Sequence, residues 1–173
     1  MLIAREKLKT NIVEYVLYMF HIEDIIRANH LSMAELDKNV ISKYNLPSNQ
    51  LEEVHIWYRN LISQMEKEDI QKAGHLSSIK EIIFQLNDLH IQLLNTLNEE
   101  RYIVHYRWAS GFIKELKTKM DNPELTEIEV CLNGLYAIML LKMKKLEITE
   151  ETSEAMEFFS QMLRYLSKKY NYR

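Results

Sequence analysis

Between Asn11 and Arg27 the stretch NIVEYVLYMFHIEDIIR is apolar on two flanks of a helix. At about 100° per residue, Val13, Leu17 and Phe20 line one flank, while Ile12, Met19, Ile22 and Ile26 line the other. Two apolar flanks need two sets of neighbours, so this helix is expected at the centre of the fold. Two polar seams run between the flanks. Glu23 and Arg27, four apart with the acid first, predict an exposed ion pair of about 0.2–0.5 kcal/mol on a seam facing water. Glu14, Tyr18 and His21 form the other seam, at i, i+4 and i+7, followed by Ile25. It either lines a groove or is buried among hydrogen-bonding partners.

The same periodicity extends along the chain. The first helix is expected from around residues 5–9 to residues 28–30. Ser32 and Glu35 then have the spacing of a capping box opening a short second helix that ends near Tyr44. Pro47 bars helical geometry at Leu46, and Ser48 is placed to cap a third helix running to about Ala73, where Gly74 is the natural left-handed stop. Ser78 and Glu81 repeat the box before Ile79, Ile82, Ile83, Leu86, Leu89, Leu93 and Leu97, the cleanest amphipathic stripe in the chain. The polar run NEER from Asn98 breaks that helix.

Tyr102, Tyr106, Ala109, Ile113, Leu116 and Met120 mark a fifth helix, in which Gly111 costs about 1 kcal/mol against Ala and so suggests a close helix contact. Asn122 with Pro123 reads as the start of a sixth, carrying Leu125, Ile128, Leu132, Leu135, Met139, Met143 and Leu146. Thr149 caps a seventh, with acids in its first turn and lysines in its last. Strand signals are absent. The expectation is an all-α, single-domain bundle of about six or seven helices, with helix 1 central.

Composition narrows the class. The 173 residues suffice for one core without disulfides or metals, and only three glycines and two prolines interrupt them, which favours long helices. A formal charge of −3 gives no broad attraction to nucleic acid or anionic lipid. One cysteine, Cys131, cannot form an intramolecular disulfide, and the N-terminal residues lack the apolar run of a secretory signal, so the expected compartment is the cytoplasm. The apolar runs are too short to span a membrane.

Few constellations point to chemistry. Glu52 and His55 form an E-x-x-H pair, the half-motif that di-metal carboxylate bundles use twice, but it occurs once and lies off its helix's apolar stripe. Dinucleotide and phosphate-loop fingerprints, C-x-x-C and H-E-x-x-H are absent. Cys131 has Glu127 and Glu129 nearby and no basic neighbour in sequence, which disfavours a thiolate. His75, just after Gly74, is placed for a contact with helix-terminal carbonyls.

His90 lies in the stripe of the fourth helix with Asn87 one turn earlier, and Glu129, Asn133 and Tyr136 repeat on the sixth helix the seam of the first. If those helices are neighbours, Glu14, Tyr18, His21, Asn87, His90, Glu129, Asn133 and Tyr136 form a buried polar network or pocket, more often a device for fixing register than a site. Lys142, Lys144 and Lys145, then Arg164, Lys168, Lys169 and Arg173 with Tyr165, Tyr170 and Tyr172, make the C-terminal end basic and aromatic, the composition of a local nucleic-acid contact.

At NIVEYVLYMFHIEDIIRA, at AGHL from Ala73, at LNDLH from Leu86 and at EIEVCLNGLYAIMLLKMKKLEITEET from Glu127, the chain resembles a family of small helical proteins of Bacteroidetes-type bacteria, domain of unknown function 4924. The resemblance covers nearly the whole chain. It implies a cytosolic all-helical protein and carries no activity, cofactor or catalytic residue.

The first functional expectation is a non-enzymatic bundle that binds a protein partner or its own copy, without a cofactor or metal. Its motivation is the aromatic residues Trp57, Trp108, Phe158 and Tyr165, which exceed the needs of the apolar stripes. The alternative is a small-molecule or metal site on helices 1, 4 and 6, and the third is the nucleic-acid contact.

Overall fold

Asn11 divides the N-terminal helical region in two. In the computed structural model, which describes residues 2–171, α1 (Leu2–Thr10) ends one residue before α2 (Ile12–Ala28) begins. Asn11 is extended (φ −155°, ψ 97°), and its side-chain oxygen accepts the Glu14 N–H at 3.2 Å and the Ser167 hydroxyl at 2.9 Å. The single first helix expected from the pattern is therefore two, because asparagine makes a better N-cap than helix interior. With this division the described residues hold eight α-helices, not six or seven, and no strand.

The other helices are α3 (Met33–Asn39), α4 (Ser48–Lys67), α5 (Ser77–Ile91), α6 (Glu100–Thr118), α7 (Glu127–Met143) and α8 (Glu150–Asn171). A 3-10 turn at Ile41–Lys43 follows α3, and a π turn at Gln92–Thr96 extends α5. Helix α2 sits against α1, α5, α7 and α8. Its residues Ile12, Val16, Met19, Phe20, Ile22 and Ile26 are all buried, in one apolar cluster that continues through α8. The two-flanked pattern of α2 thus corresponds to a central position. Helix α4 packs on α3 and the 3-10 turn, and α6 lies along α8 and α7.

Several helix ends differ from their expected places, each for a local reason. Ser32 accepts the Glu35 N–H, but the reciprocal bond is missing: the Ser32 N–H already donates to the Asn29 carbonyl, and the Glu35 carboxylate turns to His30. Ser48 is the first helical residue of α4 and makes no cap. Helix α4 stops at Lys67, not Ala73, because Asp69 turns left-handed (φ +55°) and Ile70 N–H bonds back to the Met65 carbonyl.

Ser78 and Glu81 do not cap α5 either. The N–H groups of Leu76 and Ser77 are taken by Glu23 and Glu68, carboxylates from outside the helix. Asn122 accepts the Glu124 N–H within a turn, while α7 starts later at a complete capping box of Thr126 and Glu129. Thr149 accepts the Thr152 N–H at 3.3 Å at the start of α8, as its position suggested. The close helix approach expected at Gly111 lies instead at Gly134, where an added Cβ would sit 2.9 Å from Leu116 Cδ2 and 3.3 Å from Met156 Cε; at Gly111 such an atom would have nothing within 4 Å.

Candidate functional sites

Two carboxylate and histidine pairs, each with one buried member, tie the helices together. Glu23, on α2, is fully buried. Its Oε1 accepts the Leu76 N–H at 2.9 Å and its Oε2 is 2.5 Å from His75 Nδ1. The His75 ring stacks on Phe20 at 3.7 Å between centroids and keeps about 29% of its side chain exposed. Next to it, Arg27 donates to the Ile70 and Gly74 carbonyls and to Asp24 Oδ1 at 2.9 Å, while the Tyr136 hydroxyl donates to Asp24 Oδ2 at 2.6 Å. Glu23 and Arg27 therefore do not form the exposed pair their spacing suggested. Arg27 pairs with Asp24 and clasps the loop that leads to α5. Burial, then the hydrogen bond to Asp24, push the Tyr136 hydroxyl well above its ordinary pKa.

The second pair joins α5, α6 and α7. His90 is buried, with Nδ1 2.6 Å from the Tyr102 hydroxyl and Nε2 3.1 Å from Glu127 Oε2. Tyr106 donates to Glu127 Oε1 at 3.1 Å. Tyr102 is fully buried, so its hydroxyl hydrogen needs an acceptor, and His90 Nδ1 is in place to accept it. With that hydrogen accepted at Nδ1, the Nε2–H of the ring donates to Glu127, and every member is satisfied. The hydrogen bond from His90 is the main cause holding the Glu127 carboxyl below its usual range, against the opposing effect of burial. Burial, with a smaller contribution from Glu127, raises the Cys131 thiol far above its ordinary value, so it stays protonated.

The eight seam residues are dispersed among different surroundings. Glu14 turns outward, 2.6 Å from Lys7 and accepting from Asn11, because α1 ends directly beside it. Tyr18 is half-buried near Tyr44, whose hydroxyl is 3.1 Å from that of Tyr58; burial and then Tyr44 raise Tyr18 to about 12. His21 Nδ1 is shielded from solvent without a hydrogen-bond partner among the described residues. Glu129 serves the α7 capping box, and Asn87 and Asn133 are half-buried. Only His90 and Tyr136 of the eight enter the two centres, and they enter different ones. Their partners Glu23, Asp24, Tyr102, Tyr106 and Glu127 carry no site signal in the sequence, where they look like ordinary seam or stripe positions.

The remaining features are at the surface. Glu52 is exposed while His55 bonds to Asp37 at 2.9 Å, so their side chains face different surroundings. Among the described residues, no group of three or more His, Cys, Asp and Glu could hold a metal ion. No helix among them is long and apolar enough to cross a membrane. At the basic end, Lys169 and Tyr165 both bond to Glu99 and Tyr170 to Gln85, which turns these groups onto neighbouring helices; Tyr172 and Arg173 lie outside the described residues. An open groove of about 780 Å³ between α2, α7 and α8 is lined by Leu17, Ile138, Met139, Met143 and Met156.

Of the four aromatics marked for an interface, Trp57 packs edge-on against Tyr58, Phe158 lies between Trp108 and Phe112, and Tyr165 holds Glu99. Trp108 remains 51% exposed. Val104, one turn before it on α6, is 41% exposed, and Gly111, one turn after it, opens onto free space.

A family model described as "Domain of unknown function (DUF4924)" matches residues 1–173. No curated protein and no solved structure matches the chain.

Proposed function

The chain belongs to a family of unknown function, DUF4924, and we propose from its surface geometry that it is a protein-binding module whose docking face is the outer side of α6. The observation that carries this reading is the row Val104, Trp108 and Gly111. A tryptophan half in water beside a branched apolar residue loses the burial that most favours it, and tryptophan is the residue type most enriched at the centres of protein interfaces. Its rear packs on His105 and Phe158, so the ring stands on a fixed base and loses little freedom on binding.

Gly111 supports the same reading from the backbone. A glycine inside an exposed helix costs about 1 kcal/mol against alanine, and nothing in this chain occupies the space it leaves. The two polar centres, by contrast, are internally satisfied around Glu23 and Glu127, which favours a role in fixing helix register.

A photo-crosslinking amino acid at position 108 tests the reading in cells expressing the protein. The expected result is one or a few discrete protein adducts at 108, and none at the exposed control position Lys80 on α5. Absence of adducts at 108 would overturn it. So would a loss of about 3–5 kcal/mol on Trp108→Ala, the cost of a core aromatic, where a docking residue should cost about 1 kcal/mol or less in the free chain.

A further inference from the structure

Resting on the reading of α6 as a docking face, we propose that the partner on this face is a second copy of the chain, packed antiparallel along α6 so that Trp108 of each copy seats over Gly111 of the other. At about 100° per residue, Val104, Trp108, Gly111 and Glu115 fall within about 60° of arc, with Arg101 and Arg107 on either side. The face thus carries both a knob and a hole, one turn apart. A foreign partner would have to supply a complement to each. A copy supplies both at once, because a two-fold axis between residues 109 and 110 brings residue 108 of each chain opposite residue 111 of the other. Interfaces of this isologous kind are the commonest in soluble oligomers.

The charges agree with that register. The same axis sets Glu115 of one copy opposite Val104 of the other, between the exposed Arg101 and Arg107. Glu115 is half-exposed and its carboxylate is held, among the described residues, only by Lys119, a surface pair of small worth, so it is available to turn toward the two arginines. Both ends of the interface gain this contact. A parallel pairing would instead align each arginine with its own copy and leave Trp108 against Trp108. The missing side chain at Gly111 lets the two helix backbones come close enough for the indole to lie across the partner.

Cysteine crosslinking reads the register directly, and the native Cys131 is fully buried and does not compete. Mixing a Val104→Cys variant with a Glu115→Cys variant under mild oxidation should give a disulfide-linked heterodimer. Either variant alone should stay uncrosslinked, since two copies of position 104 then lie eleven residues apart along the axis, about 16 Å at 1.5 Å per residue, beyond the reach of a disulfide. Rapid crosslinking of Val104→Cys with itself would signal a parallel pairing and overturn the proposal. Sedimentation of the unmodified chain as a monomer at every concentration, with no crosslink in the mixture, would also overturn it. In that case adducts of other proteins at position 108 would leave the docking-face reading standing, whereas no adduct at all would remove both.

Discussion

Glu127 shows how one carboxylate ties three helices and makes that tie depend on pH. It accepts from His90 on α5 and Tyr106 on α6 while standing at the first position of α7, where the helix dipole also favours negative charge. Its folded pKa is lowered, first by the hydrogen bond from His90, so its contribution to stability is fully present above the ordinary carboxylate pKa and is lost as pH falls through the lowered folded value. Urea unfolding between pH 7 and about pH 3 should show this as a falling midpoint. In Glu127→Gln the neutral-pH stability should drop by about 1–3 kcal/mol, the range for hydrogen bonds to a charged group, and the gap to the unmodified chain should close as the pH falls. A gap of the same size at both ends of the range would show that the carboxylate charge is not what His90 and Tyr106 recognise.

What was legible at this scale was residue type and spacing, not company. His90 stood out because a histidine on an apolar stripe needs a partner, but Tyr102 and Glu127 come from other helices, twelve and thirty-seven residues further on. Glu23 and Arg27 had the spacing of an exposed pair, and nothing local reveals that His75 and Leu76 return to bury the acid from more than fifty residues away. Glu14 shares the seam of His21 by spacing alone, and its exposure follows from the break at Asn11.

At the scale of the element, helix interiors were read from periodicity and helix ends were not. Thr126, Glu129 and Thr149 act through bonds within a few residues of themselves, yet only Thr149 was recognised as a cap, since Asn122 with Pro123 offered an equally good start for α7. Helix α5 is the opposite case: its first amide groups are satisfied by Glu23 and Glu68, so its start is a tertiary property. This has a measurable consequence. Glu23→Ala strips both the Leu76 N–H and His75 Nδ1 of their acceptor inside the structure, and should cost about 2–6 kcal/mol as the sum of two such losses. Glu23→Gln keeps one carbonyl acceptor and should cost less than half as much. Hydrogen exchange would then show accelerated opening confined to the loop after α4 and the first turn of α5; uniform acceleration across the chain would mean that Glu23 supports the whole core and not this helix end.

At the scale of the whole molecule, the two glycines within helices distinguish packing inside the chain from the proposed pairing of two copies. Gly134 faces Leu116 and Met156 and serves the packing of α7 on α6 and α8, whereas Gly111 faces open space in the single chain. Substituting alanine at 111 therefore adds helix propensity with no clash in the monomer, and should raise the stability of the free chain by about 0.5–1 kcal/mol. In the proposed antiparallel dimer the same methyl group would meet the partner's Trp108 and push the helices apart. The two effects have opposite signs and different concentration dependences. A dimer that unfolds to monomers gains stability with concentration by mass action, and a chain that cannot associate does not. Thermal unfolding over a series of concentrations should thus give Gly111→Ala a higher Tm than the unmodified chain at the dilute end and a lower one at the concentrated end, the two curves crossing near the dissociation constant. Parallel curves with Gly111→Ala higher throughout would show that the space at Gly111 is not filled by a second copy, and that this position is only a weak point of α6.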